Sequence, residues 1–124
     1  MFSHIVVGAD DLASAKRFYD AALGALGYAP GAEMGDRVIY SAETGILMVT
    51  KPLDGHRATY GNGVTIGLNA PNSAAVDAFH QGGVSAGGRC EGAPGPRTAI
   101  PNSYAAYLRD PTGNKLVAWC VKES

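Results

Sequence analysis

The groups in this sequence able to do chemistry near neutral pH are few: three imidazoles, two thiols and one pair of adjacent carboxylates. His4 stands in an otherwise apolar run, Phe2-Ser3-His4-Ile5-Val6-Val7. Such a ring is either a general base or anchor inside a cavity, or a core histidine satisfied by a backbone carbonyl. The cost of burying a polar head without a partner favours the cavity. His56 lies in a polar stretch and His80 in a helical one, and both are expected to face solvent. Asp10 and Asp11 directly precede an apolar-periodic segment, which makes them a helix cap and first-turn charge rather than an acid–base dyad. Cys90 has Arg89 beside it, a cation able to lower a thiol pKa, whereas Cys120 reads as a small hydrophobe. Arg97, Tyr104 and Tyr107 have the donors to orient an acidic or phenolic ligand; the competing reading is packing for the tyrosines and a solvated loop for the arginine. No serine-hydrolase elbow, zincin helix, phosphate loop or dinucleotide fingerprint occurs.

Composition narrows the classes further. A chain of 124 residues with 46% hydrophobic and 17% charged residues holds one core and is not disordered. The formal charge of −1 lacks the basic excess that nucleic acid or an anionic membrane surface demands, so neither is expected as a partner. No apolar run approaches the roughly 20 residues of a bilayer span, and no charged segment precedes an apolar signal stretch, so a cytoplasmic location is expected. Two cysteines without C-x-x-C spacing point to reduced thiols.

The elements that must position these groups are short and punctuated by 17 glycines. A β-branched strand over residues 2–7 leads through a cap into a helix, whose stripe is Leu12, Ala15, Phe18, Tyr19, Ala22 and Leu26. Residues 37–41 and 45–50 predict a hairpin, and residues 52–63 a polar linker. The pattern then restarts, with a strand over 64–68, a helix over 74–81 closed by Gly82, Gly83, Gly87 and Gly88, a Pro- and Gly-interrupted loop over 91–97, and a hairpin joining 104–109 to 115–121. An offset of 61 lays His4 on Thr65, Phe18 on Phe79 and Gly27 on Gly88; an offset of 68 lays Gly45 on Gly113 and Val49 on Val117. The chain is therefore two copies of one unit, about 1–51 and 64–121, within a single 1–124 domain. Neither unit covers both faces of its sheet alone. The fold expected is α+β: paired βαβββ modules with curved antiparallel sheets around a central cup and helices outside.

The opening Phe2-Ser3-His4-Ile5-Val6-Val7, then Asp11-Leu12 and Phe18-Tyr19, together with Arg109-Asp110-Pro111-Thr112-Gly113-Asn114-Lys115-Leu116, resemble the vicinal-oxygen-chelate superfamily: glyoxalase I, bleomycin-resistance proteins, fosfomycin-resistance enzymes and extradiol dioxygenases. The stretches 70–80, 92–97 and 104–107 resemble its glyoxalase-like branch. The resemblance covers nearly the whole chain. It implies a homodimer and, in catalytic members, a divalent ion (Zn, Ni, Fe or Mn) bound by His and Glu on the first and last strands of each module. Carried over, those ligand positions fall on His4, on Thr65, near Val49 and on Val117. One imidazole cannot supply the about three or four ligands needed. No metal cofactor is therefore expected, and His4 is the lone catalytic candidate.

Period-two alternation puts Lys115, Val117, Trp119 and Val121 on the cup side, with Leu116, Ala118 and Cys120 toward the helix. The expected ligand surface is His4, Val49, Thr65, Arg97, Tyr107, Val117 and Trp119, suited to a flat aromatic or hydrophobic molecule. The expected function is small-molecule binding. The alternatives are a metal-dependent lyase or isomerase of the lactoylglutathione lyase kind, a dioxygenase, or an antibiotic-sequestering resistance protein.

Overall fold

A computed structural model describes residues 1–122; residues 123 and 124 of the expected domain lie outside the described residues. The first module runs β1 (His4–Gly8), α1 (Leu12–Ala25), β2 (Ala32–Met34), β3 (Arg37–Ala42) and β4 (Gly45–Thr50). The second runs β5 (Ile66–Asn69), α2 (Ser73–Ser85), β6 (Arg89–Arg97), β7 (Ser103–Arg109) and β8 (Lys115–Val121). Each module closes one four-stranded sheet, in the orders β1-β4-β3-β2 and β5-β8-β7-β6. The sheets are mixed rather than wholly antiparallel: β1 pairs parallel with β4 and β5 parallel with β8, because the helix carries the chain back before the last strand is laid down.

Both helices start the same way. The Asp11 carboxylate accepts from the Ser14 N–H at 3.1 Å, and the Asn72 side-chain oxygen accepts from the Ala75 N–H at 2.9 Å. Each then buries one stripe, Ala15, Phe18, Tyr19, Ala22 and Leu23 in α1, and Val76, Phe79 and Gly83 in α2. The helices pack on each other and on one face of the sheets, where Val38, Leu47, Val49, Leu108 and Leu116 complete the core. The other face of each sheet carries no helix.

Two elements depart from the sequence expectation. Residues 91–97 belong to β6, an edge strand that can accommodate Pro94 and Pro96 because its outer side needs no donors. Register shifts between Cys90 and Gly92 and between Gly92 and Gly95 absorb the irregularity. The second helix runs through Gly82 and Gly83 instead of ending there. A Cβ at Gly83 would lie 2.4 Å from Leu108 and 3.2 Å from Phe18, so this glycine serves a close helix–sheet approach rather than a stop.

The linker is pinned at Ala58 and Tyr60, once to each module. The Asp10 carboxylate accepts from the Ala58 N–H at 2.7 Å, burying Ala58, and the Tyr60 ring lies on Gly113, where a Cβ would come within 2.5 Å of it. The turn holding Gly113 is organised by Asp110, 2% exposed. Its carboxylate accepts from the Thr112, Gly113 and Asn114 N–H groups, from Asn114 Nδ2, and from the Tyr19 hydroxyl of α1 at 2.6 Å. Asn114 Nδ2 also reaches the Gly8 carbonyl, so one buried turn ties the second module to β1 and α1 of the first. Burial together with the Asp110 charge pushes the Tyr19 phenol well above its ordinary pKa, which keeps it a neutral donor.

Candidate ligand site between the modules

The two modules pack through α1 and α2, and residues around β1 of the first and β5 of the second together line two clefts. A cleft of about 500 Å³ is walled by Phe2, Val6 and Gly8 from the first module and by Thr65, Gly67 and Lys115 from the second, with Tyr60 at its edge. A second cleft of about 340 Å³ opens near the start of β1, with His4 and Phe2 facing Gly67 and Asn69. His4 is exposed, and its Nδ1 is 2.7 Å from the Ser3 hydroxyl. It is therefore a cleft residue and not a core histidine. The alternation expected for the first and last strands holds: Val7, Leu116, Ala118 and Cys120 are buried, while Val6, Val117 and Trp119 lie on the open side.

Strand register corrects one site residue. Ile5 pairs with Leu47, and its repeat equivalent Ile66 pairs with Leu116. The last strands therefore superpose at an offset of 69, not 68, and the counterpart of Val117 is Met48. Val49 is fully buried among core residues and does not reach the clefts. A slip of one residue in a strand exchanges its faces, and the unequal turns before β4 and β8 hid the slip.

The open face of the second sheet is built in rows. Tyr107 pairs with Val117, Ala105 with Trp119, and Arg109 with Lys115. Asn69 flanks Trp119 on its other side, so small or short neighbours leave the indole accessible. Arg97 folds back along β6 until its Cζ is 5.5 Å from the Tyr107 ring centroid, and Lys115 Nζ is 5.2 Å from the same centroid. Gly92 makes this possible, since a Cβ there would stand 3.1 Å from Tyr107 and 3.3 Å from the guanidinium. Arg97, Tyr107, Val117 and Trp119 thus share the open face of the second sheet and line neither cleft, whereas Thr65 lines the larger cleft and Lys115 belongs to both the face and that cleft. Tyr104 points the other way, its hydroxyl donating to Asp77 of α2 at 2.6 Å; that bond raises the phenol pKa.

His56 is exposed as expected. His80 is not wholly so: it is half-buried, and its Nε2 is shielded without a hydrogen-bond partner. Sequence alternation placed Lys115 on this face without giving it a role, and missed Arg109, although its period-two relation to Tyr107 carried the signal.

The donor set at the metal positions can now be tested against register. His4, Met48, Thr65 and Val117 supply one imidazole, a soft thioether, a hydroxyl and an alkyl group, which do not fit a divalent ion. Among the described residues no group of three or more His, Cys, Asp and Glu side chains converges elsewhere.

Two βαβββ units with helices on one side and clefts at their junction define the architecture of the glyoxalase fold. The chain belongs to the Glyoxalase/Bleomycin resistance protein/Dioxygenase superfamily, whose family model matches residues 1–118. Among solved structures it is similar to a glyoxalase/bleomycin resistance protein from Albidiferax ferrireducens, with 47% identity and a TM-score of 0.89, covering 96% of this chain and 97% of that one. It shares its fold with a glyoxalase-related enzyme from Fulvimarina pelagi (20% identity, TM-score 0.77, 96% and 86% covered). It also shares it with a lactoylglutathione lyase from Agrobacterium tumefaciens (24% identity, TM-score 0.63, 96% and 92% covered). No curated protein matches the chain. No helix among the described residues is long and apolar enough to cross a membrane.

Proposed function

We propose that this protein binds a flat, aromatic small molecule on the open face of its second sheet, beside the larger cleft, without a catalytic metal, and that it does so as a homodimer. One observation carries the reading: the positions where this superfamily would grip a cation hold His4, Met48, Thr65 and Val117, while the open face of the second sheet offers Trp119 and Tyr107. Aromatic rings exposed on a rigid sheet suit stacking, whereas an enediolate-type substrate needs a Lewis acid that these side chains do not hold. The pairing of subunits is supported by apolar side chains left bare, Phe2 (72% exposed), Val64 (55%) and Val6 (50%) at the larger cleft and Val121 (54%) at the end of β8.

Trp119 is the single tryptophan, so its fluorescence reports the site directly. Titration with a panel of aromatic compounds in metal-free buffer is expected to quench it and raise the melting temperature. Complete indifference across the panel removes the reading. Light scattering during size exclusion is expected to give twice the chain mass, and a monomer at micromolar concentration removes the homodimer. If the ligand is an antibiotic that is bound and left unchanged, expression in a sensitive host confers resistance.

A further inference from the structure

The charge on the open faces differs from that of the whole chain. Overall there are eleven acidic and ten basic residues. Strand positions turned away from the helices, however, carry Arg37, Arg89, Arg97, Arg109 and Lys115, with Glu91 as their acidic neighbour. Glu91 is already engaged, 3.1 Å from Arg109. Arg97 and Lys115 form no ion pair among the described residues, yet both are held at the Tyr107 ring.

Arg97 is fixed without a counter-charge. Its Nη1 donates to the Gly95 and Pro96 carbonyls at 3.0 and 3.2 Å, and its Nη2 to the Ala93 carbonyl at 2.8 Å. Nε and one Nη2 hydrogen remain without a bond. A guanidinium locked by backbone carbonyls has already lost its rotamer freedom, so an incoming anion meets a preorganised fork. Lys115, lining the larger cleft, brings a second cation to the same ring.

Building on the aromatic-ligand reading, we infer that the ligand is an aromatic anion, a carboxylate above all. Its ring lies on the Trp119–Val117 surface and its charge is taken by Arg97 and Lys115 beside Tyr107. Neutral aromatics meet the same rings but leave both cations uncompensated, so the site discriminates by charge more than by shape.

Calorimetric titration with 2-naphthoate and its neutral isostere 2-naphthamide tests this. The carboxylate is expected to bind roughly tenfold or more tightly at low salt, the scale of a charge-assisted hydrogen bond, with the margin shrinking as salt is added. Lys115→Gln and Arg97→Gln should each lower carboxylate affinity toward that of naphthamide and so remove most of that margin; Arg17→Gln on α1 should alter the affinity for neither probe. If Arg97→Gln fails to fold, because it abandons three carbonyls, Lys115→Gln alone decides. Equal affinities for the two probes, or a margin that survives Lys115→Gln, overturns the anion assignment and leaves the aromatic reading standing. Binding of neither probe overturns both.

Discussion

The two modules share a buried grammar and differ on their open faces. At the repeat offset, Ala15 matches Val76, Phe18 matches Phe79, Ala22 matches Gly83 and Ile5 matches Ile66; the caps Asp11 and Asn72 match too. On the open side, Ile46 and Met48 of the first module occupy the positions that Lys115 and Val117 hold in the second, and Thr50 stands where the second has Trp119. Core positions answer to packing, which both halves share, whereas open positions are released from that shared constraint. The connection between the halves is unequal as well. Tyr19 reaches Asp110 in the second module's last turn, but its repeat partner His80 has a buried Nε2 with no partner, and the equivalent turn in the first module has Ala42 in place of the aspartate.

The strongest way to break this comparison is at the corrected register. Val49→Glu forces a carboxylate into the core and is expected to cost about 4 kcal/mol or prevent folding, whereas Met48→Glu on the open side should change stability by no more than about 1 kcal/mol. Urea denaturation of the two variants checks it; the reverse order would restore the 68-residue offset. The triple variant Met48→Glu, Thr65→His, Val117→Glu should gain zinc binding by calorimetry, because it completes with His4 the donor set the natural chain lacks.

Next in size is the unequal connection. Asp110→Ala strands the Tyr19 hydroxyl and three turn amides, and is expected to cost about 3 kcal/mol; Tyr19→Phe, which removes one of those bonds, about 1.5 kcal/mol. By contrast His80→Phe should lie within about 0.5 kcal/mol of the parent or stabilise it, since it deletes a polar atom that has no partner. Thermal and urea melts rank the three, and an equal cost at Tyr19 and His80 would make the two halves equivalent after all.

The smallest effect separates the caps. Asn72→Ala should cost about 1 kcal/mol at any pH. The Asp11 cap is charged, and the N–H and hydroxyl of Ser14 hold its carboxyl below the usual carboxylate pKa. A group whose folded pKa is depressed contributes stability above its unfolded pKa and loses it as pH falls through the folded value. Acid should therefore shift the Ser14 amide resonance through a titration below the ordinary aspartate range and leave Ala75 unmoved. A matching titration at Ala75 would mean the caps do not work alike.

Much of this was legible in the chain. Periodicity and the repeat located both helices, both long hairpins and the linker, and alternation assigned the faces of the first and last strands. What escaped did so for physical reasons. Prolines spoke against a ladder at 91–97, but an edge strand has one side on which no donor is required. Gly82 and Gly83 looked like a helix end, whereas Gly83 is set by how closely Leu108 and Phe18 approach. Val49 was assigned to the ligand surface because turn lengths differ between modules, a quantity that only strand pairing reveals. The charge of the open face stayed hidden because Arg97, Arg109 and Lys115 are scattered in sequence and gather only when β6, β7 and β8 align.

The pinned linker has one more consequence. Its Ala58 clasp belongs to the first half, while Tyr60 seats on Gly113 of the second. Cutting the backbone after Gly61 would leave the first fragment with a tail that already fits a notch on the other. Two separately synthesised peptides would then possess a built-in means of recognising each other and reconstituting the whole.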